Sequence, residues 1–427
     1  MQHLIVVAVV AVAYLALGEV SRLIAYSPGD AWTVWLSSGI VFGALLAARR
    51  ERWRDVLAGG FVGAALFAWR LGVGPLDSLG YGAIEVVTAG GAALLVSKVT
   101  TLPMRLSSPR DLVAMIGAGA LPLALVGAVL ATAWHVATGG AVPGQTFRLW
   151  VDSNFIGTLL VAPMIVAWSM FRVRRSGGMT MSAFAAGAIA CALFLGTLQL
   201  LFDTNVDSRF GGIGKGLTYM PIVFMAIVAL LWGTRGATLA AFVGALIAIV
   251  NTAQNEGPFA GTAGLLGEPE IEVQGYALAI ALTGLLIAVL EAGQRNAVRE
   301  ARAWQTRFTA AIAAHRLLAY EWDPASGSIV VTGDSAQLLG VPADKIATLS
   351  DWLALVPGDD RDRVATRFDE RVRGHGETDA MTYMVTAGGT TMTATDEARA
   401  IRDHDGQLHR VVGMVRLSPA VALELAA

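Results

Sequence analysis

Ten apolar stretches of roughly 17 to 25 residues, the length a bilayer core demands of a helix, occupy residues 4 to 293, and every second connection between them is rich in arginine or lysine. They cover residues 4–26, 30–48, 54–72, 76–98, 109–137, 146–171, 181–202, 217–233, 236–254 and 273–293. One set of connections carries Arg49, Arg50, Arg52, Arg54, Lys98, Arg105, Arg110, Arg172, Arg174, Arg175 and Arg235; the other has only Arg22, Arg70, Arg148, Arg209 and Lys215. Eleven cations against five orient the chain with its arginine-rich side, and both termini, in the cytoplasm. The last outer connection is acidic instead, with Glu256, Glu268, Glu270 and Glu272.

Composition agrees. With 55% hydrophobic and 15% charged residues and a mean hydropathy of +0.59, the chain carries more apolar surface than a soluble domain of 427 residues buries. The first stretch lacks a basic start, and Glu19 and Arg22 stand where a signal-peptidase site would need small residues, so a retained span is expected in the bacterial inner membrane. Cys191 is the single cysteine, which rules out a disulfide framework within one chain. A net charge of -2 gives no reason to expect nucleic-acid binding, and six histidines without His-x-x-x-His spacing give none to expect a metal.

Near residue 294 the composition changes to Arg, Glu, Asp and Thr with short β-type runs, and a second domain begins. Its approach, residues 294–312, is a signalling helix in which Ala297, Ala301, Trp304 and Phe308, with Leu290 and Ala311, follow four-and-three spacing. That pattern suits either a coiled coil in a homodimer or a helix packed on its own domain. Beyond it, residues 313–418 read as two strands, short helices over 334–356, a charged helix over 359–373 and three further strands; a tail covers 419–427. Asp323-Pro324 with Ser326-Gly327, and Asp405-Gly406, are the turn signals. The fold class expected is thus a polytopic α-helical membrane bundle, residues 1–293, followed by a cytoplasmic α+β domain with a five-stranded antiparallel sheet.

Two resemblances refine this. The segment from Ala319 to Val364, with Trp322-Asp323, Leu338-Leu339-Gly340 and Val356-Pro357-Gly358-Asp359-Asp360-Arg361, resembles a PAS domain of bacterial sensor kinases and cyclic-di-GMP enzymes; Val356 replaces the histidine usual there. Trp32 to Gly43, Gly82-Ala83-Ile84-Glu85, Trp150-Val151-Asp152, Gly157 to Pro163, Trp232 to Ala237 and Asn255 to Phe259 together resemble the MASE1 integral membrane sensory domain. That family is commonly described with eight spans rather than ten, and usually has Trp-Pro-Pro-Ala-Gly where this chain reads Trp35-Leu36-Ser37-Ser38-Gly39. The resemblance implies a sensory input part for a histidine kinase of a two-component system or for a diguanylate cyclase. Signatures of either output, and Walker-type loops, are absent from this sequence, which marks the chain as an input module rather than an enzyme.

Candidate ligand residues follow from the cost of placing ionisable groups in a bilayer. Glu85 lies mid-span with no cation one turn away; it is either a ligand or proton site, or a carboxyl bonded to a neighbouring helix. Trp150, Asp152 and Asn154 lie near the outer end of one span, where they line a vestibule for a polar solute, or Asp152 simply pairs with Arg148 four residues earlier. Glu19 and Arg22 read as an internal ion pair, His135 as interfacial packing, and Asp359 to Arg363 as a solvated helix cap. No cofactor is indicated; His315, His375, His404 and His409 read as solvated. The partners expected are membrane lipid, an unidentified small-molecule ligand, a second copy, and a kinase or cyclase output. The rival classes are a transporter built from five-plus-five spans and a scaffold that binds no small molecule.

Overall fold

A computed structural model describes residues 2–25, 32–139, 144–169, 179–203, 214–259, 269–372, 380–404 and 407–419. The chain divides into two compact units, Met1–Asn296 and Ala297–Ala427. The basic connection of Arg172, Arg174 and Arg175, and the turn at Asp405-Gly406, lie outside the described residues.

The first unit is helical. Its elements are α1 (Gln2–Leu23), α2 (Ser38–Ala47), α3 (Trp53–Arg70) and α4 (Pro75–Val99), then α5 (Pro109–Ala137), with a π-helical section over Ala114–Ala120. There follow α6 (Gly144–Ser169), α7 (Met181–Phe202), α8 (Met220–Ala253) and α9 (Pro269–Ala314). Seven of these are long and apolar enough to cross a membrane, so the protein is multi-pass. Proline sits within the first turn of α4 and of α8, where its missing N–H costs nothing.

Packed neighbours run both parallel and antiparallel. Gly59 and Gly63 of α3 abut Val10 and Tyr14, so α1 and α3 run parallel, whereas Gly82 and Gly90 of α4 abut Phe61 and Leu57 and run against them. One departure from the apolar pattern is informative. The stretch 30–48 is helical only from Ser38, and residues 32–37 enter the bundle without helical structure. The stretches 217–233 and 236–254 are the two helical arms of α8, divided where the apolar pattern divides them, and the chain reverses between them at Gly233, where φ is +62°. The rings of Tyr219 and Phe259, from either side of α8, both lie against Tyr276, at 6.3 and 5.6 Å between centroids. A straight helix of 34 residues would be about 51 Å long. Its two ends cannot reach one ring unless the chain reverses. A left-handed φ is the conformation glycine adopts without a Cβ penalty.

The second unit is a five-stranded antiparallel sheet of order β2-β1-β5-β4-β3. Its strands are β1 (Leu317–Trp322), β2 (Ile329–Thr332), β3 (Ala380–Ala387), β4 (Thr390–Arg402) and β5 (Leu408–Pro419). Between β2 and β3 come α10 (Ser335–Leu339), α11 (Leu349–Ala354) and α12 (Gly358–Val372). Asp323 forms the first turn by accepting the Ala325 amide at 2.9 Å, and Gly327 completes it with φ +71°. The hydroxyl of Tyr320 donates to both carboxylate oxygens of fully buried Asp396, at 3.0 and 3.1 Å. Tyr320 pairs with Gly413 and Gly413 with Ala398, so a strip of small residues lets the phenol ring lie across the sheet. The core of this unit is built from its own side chains, among them Trp322, Trp352, Phe368 and Tyr383.

Most of the charge run on α12 is solvated, with Asp359, Arg361, Asp362 and Arg363 exposed, but two of its members also hold the helix in place. Asp360 accepts the Met384 amide at 2.7 Å, and Arg361 donates to the Leu353 and Val356 carbonyls, which fastens the helix to β3 and α11. That amide bond holds the Asp360 carboxyl below its ordinary range. The signalling helix shows its seam outward: Ala297, Ala301 and Trp304 are exposed, and Trp304 stacks on half-buried Phe308 at 5.2 Å.

Candidate functional site in the membrane bundle

Residues 32–37 set the site. Non-helical backbone at membrane depth persists only where protein satisfies its polar groups, and here each contact can be traced. The Trp35 amide donates to the Ser153 carbonyl at 3.0 Å and the Leu36 amide to Ser21 Oγ at 2.9 Å. Ser37 Oγ donates to the Tyr14 carbonyl at 2.7 Å, and Ser38 Oγ to the Trp35 and Asn154 carbonyls. Thr158 Oγ1 donates to Ser38 Oγ, and Gln274 Nε2 to the Thr33 carbonyl at 2.7 Å. The family pattern places prolines at the positions of Leu36 and Ser37; a proline has no N–H, so Leu36 brings a buried donor that Ser21 accepts.

Close packing completes the cradle. A side chain at Gly157 would run into the Trp35 carbonyl, so α6 admits the segment only because this residue is glycine. Trp32 stacks on Trp35 at 4.3 Å, and Phe67 packs against both, at 5.6 and 5.1 Å. Tyr14 meets Trp35 edge-on at 6.1 Å. Its hydroxyl donates to Glu85 Oε2 at 3.3 Å, across from α1 to α4. Among the described residues no cation pairs with Glu85. A lone carboxyl bonded to a phenol beside an aromatic cluster can exchange a proton or hold a cation.

Of the residues singled out from sequence, Glu85 faces Tyr14, and Asn154 joins the site through its backbone carbonyl while its amide bonds the Trp150 carbonyl at 2.7 Å. Trp150 and Asp152 stand apart from the cluster. Trp150 lies edge-on to His135 at 6.4 Å, and Asp152 is half-buried with the Arg148 charge one turn away. Glu19 pairs with Arg22 at 2.9 Å and also with Arg70, so α3 contributes a third member. No group of metal-binding side chains occurs among the described residues. Tyr14, Ser21, Phe67 and Gln274 escaped sequence reasoning. The signal that could have found them is the polar run Ser37-Ser38-Gly39 inside an apolar stretch, which needs partners somewhere in the bundle.

Gln274 links this site to the rest of the chain. It is 3% exposed and lies on α9, the helix that continues beyond the membrane unit to Ala314. Its carbonyl oxygen, Oε1, is buried without a partner among the described residues, an acceptor that a bound water or ligand would satisfy.

Comparison with known proteins gives two family matches: the MASE1 model over residues 4–295 and the PAS fold model over residues 328–415. No curated protein matches. Two solved structures are similar to about a quarter of the chain. One is the N-terminal domain of a diguanylate cyclase with PAS/PAC sensor from Marinobacter aquaeolei, at 15% identity and TM-score 0.22, covering 24% of this chain and 94% of that one. The other is a sensory box histidine kinase/response regulator from Burkholderia thailandensis, at 20% identity and TM-score 0.22, covering 26% of this chain and 83% of that one.

Proposed function

We propose, since this chain belongs to the MASE1 family and carries a PAS fold behind its membrane part, that it is the sensory input module of a bacterial inner-membrane signalling protein. A small molecule, proton or cation taken up among Tyr14, Glu85 and residues 32–38 biases the position of α9, and the PAS-type domain passes the change to a histidine kinase. A diguanylate cyclase is the alternative output. The arginine asymmetry of the connections supports an orientation with both termini in the cytoplasm.

The observation that carries this reading is the hydrogen bond from Gln274 to the Thr33 carbonyl. A stimulus that moves the segment has a different contact energy in its two positions, and that difference is what a conformational equilibrium can report. Because Gln274 is on α9, the biased element is the same helix that leads to the sheet unit. The outward seam of Ala297, Ala301 and Trp304 favours a homodimer through this helix, since a single chain leaves these residues exposed.

The test is a chimera with an attached kinase. Inserting two residues at Arg299 turns the downstream face by about 200°, while seven residues return it to within about 20°. Output should change with two and recover with seven. Equal output from both insertions would refute transmission along α9.

A further inference from the structure

The loop between α4 and α5 encloses an open cavity of about 530 Å³ on the arginine-rich face of the bundle. Lys98, Arg105 and Arg110 line it, along with Thr100 and Ser107. Loop geometry explains why the cations gather. Met104 and Leu106 are buried at 1% and 0% exposure while Arg105 between them is exposed, so alternation turns the guanidinium out as its neighbours anchor the backbone. The Met104 amide bonds the Leu46 carbonyl at 2.9 Å, which fastens the loop to the end of α2.

The charge in the cavity is unbalanced. Asp111 also lines it, yet its Oδ2 already accepts the amides of Ser107 and Ser108 at 3.1 Å each, as half of a capping box. Among the described residues no carboxylate pairs with Lys98, Arg105 or Arg110. Arg50 of the preceding basic connection donates to Ser97 Oγ, next in sequence to Lys98, at 2.7 Å. An excess of positive side chains tends to collect on one face of any membrane protein. What that tendency does not produce is a cavity lined by three cations that no carboxylate pairs with among the described residues.

We propose that this cavity binds a phosphate group, presented by an anionic lipid headgroup or by a soluble anion. Guanidinium and ammonium groups around a concave, hydroxyl-bearing wall are the donors that phosphate oxygens take. The position gives binding a consequence. Gly293 of α9 packs against the Ser107 carbonyl, so the wall of the cavity touches the helix shortly before it leaves the membrane unit at Asn296. A phosphate here fixes the loop against α9 and tunes how freely that helix moves. The proposal is independent of the Tyr14 and Glu85 site, and its failure leaves that reading standing.

Full-length protein in phosphatidylcholine nanodiscs, titrated with phosphatidylglycerol and read by native mass spectrometry, provides the lipid arm; inorganic phosphate binding to lipid-free protein in detergent provides the soluble arm. In the variant Lys98→Gln/Arg105→Gln/Arg110→Gln, binding should fall about a hundredfold, each cation being worth about fivefold. The control Arg172→Gln/Arg174→Gln/Arg175→Gln removes equal charge from another connection and should bind as the parent does. If the triple variant does not fold, Arg105→Gln alone should cost about fivefold. Loss in the lipid arm only assigns the site to headgroups, and loss in the phosphate arm to a free anion. Equal loss in both triple variants, no loss in either, or no binding by the parent in either arm overturns the proposal.

Discussion

The membrane unit and the sheet unit both bury backbone that is not helical, and they satisfy it by opposite means. In the sheet unit, β1, β4 and β5 pair residue by residue, so strands serve one another and side chains are left to pack. In the membrane unit, residues 32–37 have no neighbouring strand, and Ser21, Gln274 and the Ser153 carbonyl stand in for one. A ladder is redundant; a set of individually aimed side chains is not. The segment is accordingly the place where a single substitution, or a single bound molecule, changes most.

Breaking the cradle should have the largest effect. Gly157→Ala drives a Cβ into the Trp35 carbonyl, a backbone atom that cannot swing aside, and should cost about 3 kcal/mol, the upper end of overpacking. A thermal melt of the full chain in detergent measures it; an unchanged midpoint would mean that the segment moves freely. In the sheet unit the comparable polar contact is Tyr320 with Asp396, and Tyr320→Phe should cost about 2 kcal/mol because the lost bonds end on a buried carboxylate. Hydrogen exchange at β1 and β5 in the full chain would report it.

Next comes Ser21→Ala, which strands the Leu36 N–H and should cost about 1 to 2 kcal/mol. Adding Leu36→Pro removes that donor and should recover most of the loss, whereas additive damage would show that Ser21 acts otherwise. Glu85→Gln should leave the melt nearly unchanged, since an amide still accepts from Tyr14, but should abolish the output change of the kinase chimera. A retained response would remove Glu85 from the site.

The smallest effect concerns acid. Asp360 has a folded pKa below its unfolded value, so its contribution is present above about pH 4 and is lost as pH falls through the folded value. Asp323 and Asp351 are lowered in the same direction by bonds from Ser326 and Thr348. The Asp360→Asn variant should therefore lose its stability deficit relative to the parent as pH drops below about 4. A deficit that stays constant across the titration would contradict that linkage.

Much of this architecture was legible without coordinates. Apolar length and arginine asymmetry identify a multi-pass bundle, because a bilayer imposes the same length and the same hydrogen-bond demand on every crossing. Period-two strands and the Asp323 turn likewise mark the five-stranded sheet. Legibility stopped at two kinds of place. The non-helical entry of residues 32–37 was hidden, since an apolar run of spanning length reads as helix throughout. The Asp360 and Arg361 roles were hidden too, since a charge run reads alike whether it meets solvent or a neighbouring strand.

The candidate site divides along the same line. Glu85 stood out by itself because a lone carboxyl in an apolar stretch is costly wherever it ends up. That Tyr14, 71 positions earlier, supplies its partner is a fact of how α1 and α4 meet. Sequence determined which groups had to be satisfied: the Glu85 carboxyl and the Ser37-Ser38 hydroxyls inside a short apolar span. Only tertiary structure decided which groups satisfy them, because partners in a bundle are set by helix packing across long sequence separations, and no local pattern records that choice.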